Sequence, residues 1–83
     1  MEGLTEGRIV HYMPGENESG HGQDHHMAAI VVRVFGGSEG MANLTVFPDW
    51  LNDGYGKDAM FWATSRKYSD GKEPMTWHWP EKV

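Results

Sequence analysis

His26-Met27-Ala28-Ala29-Ile30-Val31-Val32-Arg33-Val34-Phe35, then Gly36-Gly37-Ser38-Glu39-Gly40, then Met41-Ala42-Asn43-Leu44-Thr45-Val46-Phe47, is the stretch that decides the fold class. Its first part is rich in β-branched residues, which suit a pleated, half-buried surface. Ile30, Val32 and Val34 fall on one face; Val31, Arg33 and Phe35 fall on the other, which the arginine marks as partly wet. In the last part Leu44 and Val46 point one way, and Asn43, Thr45 and Phe47 the other. The glycine-rich segment between them is a turn signal, so the pattern predicts a hairpin with a loop of about five residues. Pro48 closes its second strand.

The same reading extends outward. Residues 7–13 predict a first strand, with Ile9, His11 and Met13 on one face and Val10 and Tyr12 on the other. Residues 16–25 are polar, contain two glycines and predict a flexible loop. A polar and aromatic loop over 49–58 precedes a fourth strand at 59–65. A turn around Asp70-Gly71 precedes a fifth at 75–79. No segment repeats apolar residues at helical spacing. The expectation is one all-β domain over residues 1–83, with five short strands. An SH3-like barrel removes exposed strand edges and leads; a strongly twisted open antiparallel sheet, paired in a dimer, is the alternative.

Composition narrows the function classes. A chain of 83 residues buries only about 60–65% of its unfolded surface, so its core is thin. Metals, disulfides or oligomerisation often support such domains. Cysteine is absent, which removes disulfides and suits a reducing compartment. The net charge is -5, from twelve acidic and seven basic residues. That argues against a general nucleic-acid binder, which needs a basic face to release counterions, and against an anionic membrane surface. No apolar run reaches the length of a membrane span. The acidic start Met1-Glu2-Gly3-Leu4-Thr5-Glu6 lacks a hydrophobic signal region. A cytoplasmic protein is expected.

Several segments together resemble a group of small phage and prophage proteins: Gly7-Arg8-Ile9-Val10-His11-Tyr12, His26-Met27-Ala28-Ala29-Ile30-Val31, Asn43-Leu44-Thr45-Val46-Phe47-Pro48-Asp49, Asn52-Asp53-Gly54 and Thr76-Trp77-His78-Trp79-Pro80-Glu81. The resemblance covers most of the chain. It lapses at residues 16–24, which look like an insertion, and around Trp50-Leu51. It implies a phage origin, a compact β fold and work in the host cytoplasm. It supplies no catalytic residues. Small phage proteins often counter host defence, some by sequestering cyclic-nucleotide signals, and that setting guides the functional expectation below.

Four constellations carry possible chemistry. His21, His25 and His26, with Asp24 or His11, have residue types that ligate zinc or nickel. Their place in a glycine-rich loop favours solvated histidines, so neither a metal nor another cofactor is expected. Trp50, Asn52, Asp53 and Tyr55 lie in one loop. They suit either a turn or the rim of a ligand site, where aromatic stacking adds about 1–3 kcal/mol per base. Trp62, Thr64, Ser65, Arg66 and Lys67 combine an aromatic ring, hydroxyls and cations, suited to a phosphate oxygen or to an ordinary strand end. Trp77 and Trp79 share one side of an extended tail and His78 takes the other. They read as a barrel cap or as a binding surface.

No nucleophile elbow or paired-histidine zinc motif is present, so an enzyme is not expected. The leading expectation is a homo-oligomeric phage protein that binds a small anionic, nucleotide-type ligand and withholds it. Arg33, Arg66 and Lys67 would meet phosphate, and Trp50, Tyr55, Trp62, Trp77 or Trp79 would stack. The alternative is an interaction module that inhibits a host protein, or a minor structural component.

Overall fold

Alternation along the strands sorts side chains into an inner and an outer set. The computed structural model describes residues 1–15, 18, 26–37, 39–48 and 60–81. Its elements are β1 (Ile9–Met13), β2 (Met27–Val34), β3 (Ala42–Phe47), β4 (Phe61–Tyr68) and β5 (Thr76–His78), with no helix among the described residues. The strands close into a barrel in the order β1-β2-β3-β4-β5. β1 to β4 form an antiparallel meander. β5 seals it, antiparallel to β1 and parallel to β4. Closure, rather than an open sheet, satisfies the edge strands.

The core is built from Val10 and Tyr12 of β1, Met27, Ala29 and Val31 of β2, Ala42, Leu44 and Val46 of β3, Ala63 of β4 and Trp77 of β5, with Leu4 beneath. Each fully buried Val or Leu contributes about 1.5–3 kcal/mol. The expected faces of β1 and β3 hold, except that Met13 is also buried. The expected faces of β2 are corrected. Val31 is inside with Ala29, whereas Ile30 and Val32 face outward, because Ala29 pairs with both Val10 and Val46 and Val31 pairs with Leu44. The register then shifts between Val31 and Arg33, so Val32 is an extra residue and Val34 returns to pack on the core. A bulge inverts parity in this way, and the run of valines conceals it.

A second shift lets β4 run on to Tyr68 instead of ending at Ser65. Ser65 takes a positive φ of 54° there, and its N–H donates to Asn43 Oδ1 at 2.8 Å. Arg66 is thereby turned inward. Its Nε donates to the Tyr12 hydroxyl at 2.9 Å, and its terminal nitrogen meets Glu18 at 2.9 Å. Tyr12 donates to the other Glu18 oxygen at 2.6 Å.

Burial pushes the Tyr12 phenol well above its ordinary range, and the Glu18 carboxylate pushes it further. A raised folded-state value means that this group's stabilisation is intact below the unfolded tyrosine value near pH 10 and is lost as pH rises beyond it. Ultraviolet titration should therefore show Tyr12 silent near pH 10 while the barrel stays folded. A spectrum indistinguishable from that of Tyr12→Phe through this range is the expected result. A tyrosinate signal lost on that substitution would count against the buried Tyr12–Glu18–Arg66 network.

Candidate metal centre

The outer wall of the barrel carries the other half of each alternation. Val10 and Tyr12 point inward, so His11 points outward; Trp77 points inward, so His78 points outward. The register sets His11 opposite His78 on one side and opposite Ala28 on the other. His26 lies two residues before Ala28, on the same outer side. Three imidazoles thus meet across β5, β1 and the entry to β2. Glu81, three residues after His78, brings in a carboxylate.

The donor atoms converge. His26 Nδ1 lies 3.1 Å from His78 Nε2. Glu81 Oε1 lies 2.8 Å from His11 Nδ1. Glu81 Oε2 lies 2.7 Å from His78 Nε2, 3.1 Å from His26 Nδ1 and 3.0 Å from Lys72 Nζ. One ligand atom from each of His11, His26, His78 and Glu81 lies within 4.8 Å of all the others. Zinc bonds of about 2.0–2.1 Å in a tetrahedron need donor separations of about 3.3 Å, which lies between the shortest contacts of the set and its 4.8 Å outer spacing, so the short contacts would open and the wide ones close around the ion.

Electrostatics prepares the same chemistry. Burial lowers the pKa of His78, against the opposing pull of Glu81, and so favours the neutral imidazole that a metal requires. Burial alone would raise the Glu81 carboxyl. The Lys72 hydrogen bond, with others including that from His11, reverses this and holds it far below the usual range. His78 is buried, and its Nδ1 has no hydrogen-bond partner among the described residues. An unpaired buried polar atom costs about 1–3 kcal/mol. The ring therefore keeps Nε2 in the cluster at the expense of its other nitrogen. Imidazole and carboxylate donors together suit zinc and its transition-metal neighbours better than calcium or magnesium.

Lys72 reaches this cluster from the connection between β4 and β5. That connection must return the chain so that Tyr68 and Trp77 lie side by side in parallel. Its tight turns place Lys72 and Met75 at φ of 60° and 66°, uncommon values for residues other than glycine. The Met75 N–H donates to Met13 O at 2.7 Å, and the Ser69 N–H to Trp77 O at 2.9 Å.

The residues singled out from sequence that fall among the described ones are dispersed. Trp77 is fully buried; its Nε1 donates to Gly40 O at 2.8 Å. Trp79 packs edge-on against it, at 5.2 Å between ring centres, beneath the Arg8 guanidinium. His78 belongs to the cluster. Arg66 is engaged by Tyr12 and Glu18, as described above. Arg33, Trp62, Thr64, Ser65 and Lys67 are exposed, with Trp62 at 61%. Trp50, Asn52, Asp53, Tyr55, His21, Asp24 and His25 lie outside the described residues. Of the histidine-loop set, His26 and His11 do come together, but with His78 and Glu81. Glu81 carried no sequence signal. His11 and His78 did: in a closed barrel the first and last strands pair, and both histidines stand on the face opposite the core.

No family model matches this chain, and neither a curated protein nor a solved structure matches it.

Proposed function

We propose that this protein binds a divalent transition-metal ion, zinc being the best fit, through His11, His26, His78 and Glu81. One observation carries the reading: four donors from three separate parts of the chain converge within 4.8 Å. The ion would fasten β5 and the segment after it to β1 and β2, an external brace for a domain with a thin core. In the phage setting that the sequence resemblance implies, the protein is a small metal-dependent binder in the host cytoplasm.

Native mass spectrometry of metal-stripped protein supplied with zinc tests it. A single zinc per chain is the expected adduct, strongly reduced in His11→Ala. His11 faces outward, so its truncation spares the core. Equal zinc uptake by wild type and His11→Ala would refute the site.

A second reading, a protein-interaction module, rests on the outer wall beside the cluster. The register aligns Ile9 with Ile30, Ile30 with Thr45 and Thr45 with Trp62, an uncharged row across four strands. Ile9 and Trp62 are 60% and 61% exposed. Sedimentation equilibrium tests the simplest partner, a second copy. The same monomer mass for wild type and Trp62→Ser would count against it. A nucleotide-type ligand held by Arg66 has less support, because that guanidinium already neutralises Glu18.

A further inference from the structure

The four donors of the cluster are not equivalent. His11 and His78 lie in paired strands, and His26 immediately precedes β2. Glu81 lies beyond β5, outside any strand, with its side chain one-third exposed. It is also the sole anion in the cluster, and both its oxygens are engaged. Oε1 faces His11; Oε2 faces His26, His78 and the Lys72 ammonium. This carboxylate marks where an oxyanion is welcome: against three nitrogen donors and one neighbouring cation.

Lys72 is the feature that a closed structural zinc site does not need. Zinc, three neutral imidazoles and one carboxylate already sum to a positive charge, and a further ammonium beside them adds repulsion. The Lys72 backbone nevertheless adopts a left-handed conformation that few non-glycine residues take, and its Nζ lies 3.0 Å from Glu81 Oε2. An ammonium at that place becomes favourable when the group between it and the metal carries more than one negative charge. Phosphate does; a carboxylate does not. Zinc sites that work on ligands hold the metal with three protein donors and leave the fourth position exchangeable, and the strand-anchored histidines supply three donors.

We propose that Glu81 is a placeholder: on the metal-loaded histidines the fourth position takes a phosphate-type oxyanion, and Lys72 is its counter-ion. This inference rests on the metal reading above and names the ligand class of the same site. No bond is made or broken. The Glu81 carboxylate leaves the metal as a phosphate oxygen enters, and Lys72 transfers its hydrogen bond from one to the other.

Cobalt(II) in place of zinc provides the readout, because its visible bands respond to the donors bound to it. Glu81→Ala should still bind cobalt, more weakly than wild type, through His11, His26 and His78. Inorganic phosphate should shift the bands of cobalt-loaded Glu81→Ala at a concentration roughly tenfold or more below that needed with wild type. Lys72→Ala/Glu81→Ala should lose that advantage. Adenosine monophosphate as a second probe separates a phosphomonoester ligand from free phosphate: tighter binding than phosphate selects the former, equal or weaker binding the latter. Phosphate affinity unchanged by Glu81→Ala, or unchanged by the added Lys72→Ala, would overturn the proposal. So would failure of Glu81→Ala to hold cobalt while wild type does, since Glu81 would then be a permanent ligand. Absence of metal uptake by wild type is a separate result, and removes the metal reading together with this inference.

Discussion

Zinc at about a hundredfold excess over its dissociation constant should raise the thermal midpoint by about 10–20 °C. Binding confined to the folded state stabilises by about 2.7 kcal/mol at that excess, and 1 kcal/mol moves a domain of 60–100 residues by about 4–8 °C. The premise that the unfolded chain lacks the site follows from topology. His11 and His78 are brought together by the β1–β5 pairing, and His26 by the β1–β2 pairing. Chain unfolding separates all three. His11→Ala should remove nearly all of the zinc-induced shift while changing the metal-free midpoint little, since the side chain stands on the outer wall. Lys72→Ala should keep the shift, because Lys72 donates to Glu81 and offers the metal nothing while charged. Differential scanning calorimetry with and without zinc reads each outcome. A midpoint that ignores zinc, or that rises equally in His11→Ala, would show that the four donors form a hydrogen-bonded cluster and nothing more.

The barrel was legible where local pattern and tertiary context agree. Leu44 and Val46 alternate with Asn43 and Thr45, the glycine segment at 36–40 permits the turn, and β2 and β3 pair as that pattern requires. The parity of β2 was not legible, because consecutive valines and isoleucine look alike from either side. Pairing with Val10, Leu44 and Val46 chose Ala29 and Val31 for the interior, and the bulge at Val32 then reversed the order. The inward turn of Arg66 depends on another bulge, which the sequence marks with an ordinary serine at positive φ. The candidate site was half-legible for the same reason. The histidines at 21–26 stand out in the sequence because they are near neighbours there. The cluster instead joins residues 11, 26, 78 and 81, which become neighbours in space only through the β1–β2 pairing and the closure of β5 on β1. Glu81 is an ordinary surface glutamate until β5 pairs with β1.

Trp77→Ala should cost about 3–5 kcal/mol, as other large aromatic-to-alanine core changes do. Small domains have about 5–15 kcal/mol in total, so most of the reserve goes. The effect is large because Trp77 does three things at once. It fills the centre of a thin core with no solvent exposure. It meets Tyr68 and Trp79 edge-on at 5.1 and 5.2 Å. Its indole N–H also ties the closing strand to Gly40 O on the β2–β3 hairpin. Gly40 itself must remain glycine, since its φ is +83° and a Cβ there would lie 3.0 Å from that of Tyr68. Trp77→Phe keeps much of the packing but leaves that carbonyl without the indole donor, and should cost less. Trp79→Ala, half-buried and beneath Arg8, should cost less again. Urea denaturation followed by far-ultraviolet circular dichroism ranks the three. Because β5 carries both Trp77 inward and His78 outward, loosening it should also scatter the metal donors. Zinc should therefore restore part of the stability of Trp77→Phe, and should not do so when His11→Ala is added. Equal rescue with and without His11 would break the proposed link between closure of the barrel and assembly of the site.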